Sequence, residues 1–145
     1  MISSKCLYAL LALLELAQHE ESTPVTISQI ARSQQIPSRF LEAILRELKQ
    51  GGFTTSHRGK DGGYLLSRDA TGIRVGDVIR HIEGPLKGKE RSALTGITES
   101  SKTVFGELMD EASDALASVY DRKTIKDLAR RDAEIRERHV INYSI

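Results

Sequence analysis

At Gly51-Gly52 the spacing of apolar residues changes from a helical period of about 3.6 to a period of 2, and this switch dictates the order in which elements can be built. Before it, three runs carry helical spacing. Residues 5–20 hold Leu7, Leu10, Leu11 and Leu14 among alanines, behind Ser3 or Ser4 as N-cap. Residues 26–34 form a short second run, with Thr26 or Ser28 near its cap and Ile27, Ile30 and Ala31 inward. Ile36-Pro37 stops it, because a residue before proline is pushed out of the helical region. Ser38 is then placed to cap a third helix, residues 38–50, with Glu42 in reach of a capping arrangement. Phe40, Leu41, Ile44, Leu45 and Leu48 point inward, and the two glycines end the helix. After them, residues 53–57 and 64–67 read as short strands around Arg58-Gly59-Lys60-Asp61-Gly62-Gly63, whose glycines supply the positive φ angles a hairpin needs. Three helices with a tight turn between the second and third, followed by a hairpin, predict a winged helix-turn-helix.

The chain then continues with a helix over residues 75–82, ending at Glu83-Gly84-Pro85. Residues 86–100 are polar, contain glycine and have no period, which predicts a loop. Ser101 is placed to cap a long helix to about Asp121, in which Phe105, Leu108, Ala112, Ala115 and Val119 recur at spacings of three and four. This is a coiled-coil-like seam with small residues in its middle, and it predicts a homodimer. A last helix begins near Thr124 and carries Ile125, Leu128 and Ala129; from Arg136 onward the chain reads as a loose or partner-dependent tail. The expected organisation is a winged helix-turn-helix DNA-binding domain over 1–85, a loop over 86–100, a dimerisation helix over 101–123, and a C-terminal helix and tail over 124–145. The fold class is mainly α with a small β-hairpin wing.

Composition removes several alternatives. The apolar run from Cys6 to Leu14 behind Lys5 has the look of a signal peptide, but it is too short to span a bilayer, Glu15 interrupts it, and no small-residue cleavage site follows. It reads as a buried first helix of a cytoplasmic protein that does not enter a membrane. One cysteine among 145 residues forbids an intramolecular disulfide, suits a reducing compartment, and leaves no cysteine cluster for zinc or iron–sulfur ligation. The sequence carries no phosphate loop, no paired His and Cys or His and Ser at a plausible turn, and no acidic pair in a cleft-forming segment, so it does not read as an enzyme. Charge, in contrast, points to a partner. Between Arg32 and Arg74 eight Lys or Arg face four acids, a local balance of +4 in a chain of net charge +1, which leaves −3 for the rest. A near-neutral protein with one basic stretch binds a polyanion on that face.

The residues that would do so are the exposed positions of the third helix and the tip of the hairpin. On a helix starting at Ser38 the outward positions are Ser38, Arg39, Glu42, Ala43, Arg46 and Lys49. The first turn of such a helix points into the major groove, so Ser38, Arg39 and Glu42 reach base edges, with Arg46 one turn back. Arginine suits guanine, and glutamate accepts from cytosine N4. Glu42 has an alternative role as a cap of its own helix. Ser28, at the start of the second helix, joins the DNA-binding set. Arg58, beside glycines that allow close approach, is placed to enter a minor groove, with His57 and Lys60 as phosphate contacts. The predicted partner is double-stranded DNA, a pseudo-palindromic operator if the protein is a dimer. The alternative is a protein-interaction module that regulates a partner enzyme through the same face.

Beyond these patterns the chain resembles the Rrf2-type winged helix-turn-helix regulators of bacteria, the family of IscR, NsrR, RirA and CymR. The resemblance rests on Tyr8-Ala9-Leu10, Ile27-Ser28-Gln29-Ile30-Ala31, Ile36-Pro37 with Phe40-Leu41-Glu42, Arg58-Gly59 and Gly62-Gly63-Tyr64. It continues through Val75-Gly76-Asp77-Val78-Ile79, Glu83-Gly84-Pro85 and Thr124-Ile125-Lys126-Asp127-Leu128, in unbroken order over residues 1 to about 130. It implies a homodimeric repressor or activator, repressor being the expectation, in which the serine and glutamate matching Ser38 and Glu42 contact bases. The chain also departs from the family: cluster-binding members carry three cysteines in the loop after the Glu-Gly-Pro motif, and residues 86–100 here have none. A cluster ligated by thiolates at that place is excluded. Cys6 reads as a small buried hydrophobe. His81, Glu83, Glu90 and Glu99 are what remains near the loop, and no metal or other cofactor is expected. The loop then serves as a hinge, or as a site for a small-molecule or protein effector.

Overall fold

The computed structural model describes residues 2–88 and 93–144 of the chain. Among these the order is α1 (Ser4–Ala17), α2 (Ile27–Gln34), α3 (Ser38–Gln50), β1 (Thr54–His57), β2 (Gly63–Leu66), a short 3-10 turn (Ala70–Gly72), α4 (Val75–Glu83), α5 (Glu99–Asp121) and α6 (Ile125–Tyr143). The architecture is mainly helical with one antiparallel hairpin, as predicted.

The hydroxyl caps explain where most helices begin. Ser3 rather than Ser4 caps α1, its side chain accepting from the Cys6 amide at 3.1 Å. Thr26 rather than Ser28 caps α2 in a full capping box: the Gln29 amide donates to Thr26 Oγ1, and the Thr26 amide donates to Gln29 Oε1. Two predicted caps are corrected. The N-cap of α3 is Pro37, with no side-chain cap, and Ser38 is already helical; Glu42 is therefore not a capping residue and pairs with Arg46 instead. In α5 the cap is Thr98, whose extended backbone lets its side chain accept from the Ser101 amide at 3.2 Å, so the helix starts at Glu99, ahead of the predicted Ser101. A third correction concerns the tail. α6 runs to Tyr143 instead of loosening at Arg136, because its charges are paired at helical spacing, Arg131 with Glu134 at 3.1 Å and Arg136 with Asp132 at 2.9 Å.

Helix α1 is the hub. Cys6, Ala9, Ala12 and Leu13 are wholly buried in it, against Ile30 of α2, Leu41, Leu45 and Leu48 of α3, Val78 and Ile79 of α4, and Ile125 of α6. Phe40 departs from its predicted inward place: it is 41% exposed at the rim of this core, its ring stacked on Tyr8 with centroids 6.1 Å apart.

Two long-range joints set the remaining geometry. The hairpin, in register Thr54↔Leu66 to His57↔Gly63, is anchored to the segment before α2, where Val25 and Tyr64 exchange backbone hydrogen bonds of 3.0 and 2.8 Å. A Cβ at Gly63 would sit 2.5 Å from the Val25 carbonyl oxygen, so this approach requires glycine. The winged body is joined to α5 by Arg80 of α4, which donates to both oxygens of Asp121 at 2.7 and 2.8 Å. Gly76 makes room for that pair, since a Cβ there would meet Asp121 Oδ1 at 1.8 Å.

Candidate nucleic-acid interface

The outer face of α3 carries Ser38, Arg39, Glu42, Arg46 and Lys49, all exposed. Its three other sides are fixed. Toward the hairpin, Lys49 Nζ donates to Ser56 Oγ at 2.6 Å. Toward α1, Lys5 pairs with Glu47 at 2.6 Å and Tyr8 backs the Phe40 ring, over which the Arg39 guanidinium lies at 4.7 Å from the centroid. At its C-terminal end the ring of His81 approaches the Glu47 carbonyl oxygen at 2.8 Å and meets the Phe53 ring edge-on at 5.6 Å. Arg46 and Glu42 pair at 3.2 Å with side chains 64% and 71% exposed, which is worth only about 0.3–0.5 kcal/mol and leaves both available to a ligand.

Beside α3, a shallow cleft of about 550 Å³ separates the start of α2 from the hairpin, and Ser28, His57 and Arg58 line it together with Thr26, Ser56 and Tyr64. The structure thus brings Ser28 and the hairpin residues His57 and Arg58 to one depression, and links Lys49 to the same hairpin through Ser56. Lys60 lies exposed in the hairpin turn, apart from that cleft. Sequence reasoning missed the buttress of α3, formed by Lys5, Tyr8 and Glu47. The i,i+3 spacing of Lys5 and Tyr8 on an otherwise apolar helix was the available signal.

The residues predicted for dimerisation lie on the uncovered side of α5. Phe105, Leu108 and Val119 are 49%, 58% and 46% exposed, Ala112 and Ala115 are exposed between them, and Val104 and Leu116 extend the stripe. Exposed apolar side chains gathered along one helix in this way are a common mark of an interaction surface.

A helix-turn-helix with a solvent-facing basic second helix, braced from behind and flanked by a basic hairpin, defines a winged-helix DNA-binding transcription regulator. The chain belongs to the Rrf2 family: the family described as "Rrf2: Iron-dependent Transcriptional regulator" matches residues 2–131. It is 33% identical over 128 residues to the HTH-type transcriptional regulator CymR of Bacillus subtilis, covering 88% of each chain. It is 32% identical over 127 residues to the regulator IscR of Escherichia coli, covering 88% of this chain and 78% of that one. Among solved structures it resembles CymR, the global cysteine regulator of B. subtilis, with a TM-score of 0.75 at 30% identity over 90% of this chain and 97% of that one. It resembles T. potens IscR with a TM-score of 0.74 at 30% identity, covering 93% and 90%.

The family's description raises iron, and the donors of this chain do not fit a thiolate-ligated cluster. Cys6, the one cysteine, is wholly buried within α1. His81 is engaged with Glu47 and Phe53, Glu83 receives the Ser3 amide at 2.8 Å and the Ser3 hydroxyl, and Glu99 pairs with Lys102 at 2.6 Å. Glu90 lies outside the described residues. Among the described residues no group of three His, Cys, Asp or Glu side chains could hold a metal ion.

Proposed function

We propose that the protein regulates transcription as a cytoplasmic homodimer, most simply as a repressor, by binding a pseudo-palindromic operator and not by catalysis. The observation that carries this is the exposed basic face of α3, with Arg39 and Arg46, joined by the Lys49–Ser56 hydrogen bond to the hairpin that carries His57 and Arg58. In this reading α3 enters the major groove with Ser38, Arg39 and Glu42 at base edges, while Arg58 enters the adjacent minor groove. Ser28, Lys49, His57 and Lys60 hold phosphates. Residues 1–85 are the DNA-binding domain and the α5 stripe is the dimer seam, with residues 86–100 between them as the place where a small-molecule or protein effector changes the spacing of the two recognition helices. No cofactor is required for this. Among the described residues no helix is long and apolar enough to cross a membrane.

The test is selection of DNA fragments from a random pool by the purified protein, followed by affinity measurements at about 50 and 200 mM salt. A DNA-reading dimer selects a two-fold-related sequence and loses affinity steeply with salt, as about six or more phosphate contacts would require. Recovery of no consensus, or a salt-independent affinity, refutes the proposal.

A further inference from the structure

Glu15 is the one carboxylate among the described residues that is buried outright, 5% exposed in the last turn of α1. Burial pushes its carboxyl pKa upward, yet hydrogen bonds from Gln34, His19 and Ser33 and the charge of His19 outweigh burial and hold it below the ordinary range. The partners identify the purpose. Ser33 Oγ donates at 2.8 Å and Gln34 Nε2 at 2.7 Å to Glu15 Oε2, while His19 Nε2 lies 2.9 Å from Oε1. Ser33 and Gln34 are the final two residues of α2. The next residue, Gln35, has φ 54°, the one non-glycine residue with positive φ among those described. The Ile36 amide then donates back to Ala31 at 3.0 Å, and Pro37 opens α3.

The turn that aims α3 is therefore built without glycine, through a left-handed backbone that L side chains rarely adopt. What holds the last turn of α2 while the backbone reverses is a carboxylate supplied by another helix. The same helix braces α3 at its other end through Lys5 and Tyr8. α1 is thus a rod that grips the end of α2 through Glu15 in its own last turn, and α3 at Phe40 and Glu47 through Tyr8 and Lys5 in its own first turns.

We propose that Glu15 is a positioning residue for DNA recognition, its buried carboxylate setting the angle of α3 to α2 by gripping Ser33 and Gln34. This rests on reading α3 as the base-reading helix. Ser33 is exposed and Gln34 and His19 are half-buried, so water can take the place of the carboxylate on them when it is removed, and the contribution of Glu15 is to geometry. Replacement by an apolar side chain leaves the fold intact and loosens the aim of α3.

The experiment compares wild type, Glu15→Leu and Glu15→Gln on two probes: a DNA fragment selected by the wild-type protein, and an unrelated fragment of equal length. Thermal unfolding and circular dichroism establish the folded fraction. For Glu15→Leu we expect a loss of about tenfold, about 1.4 kcal/mol, on the selected fragment and no more than about twofold on the unrelated one. Glu15→Gln, which keeps an acceptor oxygen, should lose less. Equal losses on both probes, in proportion to unfolded protein, or no loss on either, overturn the inference. If Glu15→Leu does not fold, Gln34→Ala removes one donor at the half-buried end of α2 and should show the same selective loss; unchanged selectivity there overturns it equally. A wild-type protein that selects no fragment overturns the reading of α3 itself, and this inference with it.

Discussion

Substituting Gly76 by alanine puts two effects against each other at the joint between α4 and α5. Alanine is favoured over glycine by about 1 kcal/mol in a helix interior and by less in the first turn, where Gly76 is the second residue of α4. Against this, the new Cβ would lie 1.8 Å from Asp121 Oδ1 and 3.0 Å from Arg80 Nη1, so the carboxylate must leave its bidentate position. The Arg80 and Asp121 side chains are 36% and 31% exposed, and solvent screens the pair, so its loss costs about 1 kcal/mol, the upper end for surface ion pairs. Gly76→Ala alone should therefore destabilise, by up to about 1 kcal/mol. In an Asp121→Ala background neither the clash with the carboxylate nor the pair exists, and the same substitution should be neutral or stabilise, by less than about 1 kcal/mol. The assay is a double-mutant cycle by urea unfolding at one fixed protein concentration, since unfolding of a dimer depends on concentration. Equal effects of Gly76→Ala in the two backgrounds would refute the claim that this glycine exists to admit Asp121.

Four further outcomes are expected. Leu108→Lys places a charge in the α5 stripe, at a cost of several kcal/mol if that stripe is covered; sedimentation should show monomers, and a persisting dimer places the interface elsewhere. Arg58→Ala should weaken binding to every fragment and flatten any preference for A·T pairs beside the half-sites. Glu42→Ala should relax preference at one base pair per half-site, by about 1–3 kcal/mol, and an unchanged consensus removes Glu42 from base reading. Hydrogen bonds from Arg80 hold the Asp121 carboxyl below its ordinary 3.8. Its contribution to stability is therefore complete above that value and is lost as pH falls through the lower, folded-state value. Urea midpoints measured from about pH 5 down to about pH 2 should fall more steeply for wild type than for Asp121→Asn, and parallel curves refute the linkage.

Local physics is written locally, which is why the order of helices and hairpin could be read from spacing: the period switch at Gly51-Gly52, the break at Ile36-Pro37 and the glycine-rich turn after Arg58 each act over a few residues. The choices between Ser3 and Ser4 and between Thr26 and Ser28 as caps were settled by the backbone, while Ser38 and Ser101 proved already helical behind Pro37 and Thr98. The outward positions of α3 followed from helical geometry, and the structure leaves Arg39, Glu42 and Arg46 exposed. Apolar identity alone misplaced Phe40, because whether a ring at the edge of a core is covered depends on how far the neighbouring helix extends. What no local pattern could supply are contacts between residues distant along the chain: Glu15 with Gln34, Ser3 with Glu83, Gly63 against Val25, and Arg80 with Asp121. Each involves a side chain or glycine that is unremarkable in its own segment and acquires its role from what packing brings opposite it. The sequence by itself determined which elements form and which faces are apolar or charged; the angles between those elements, on which recognition of DNA depends, were decided by tertiary contacts, because an interhelical angle is set by atoms on both helices at once.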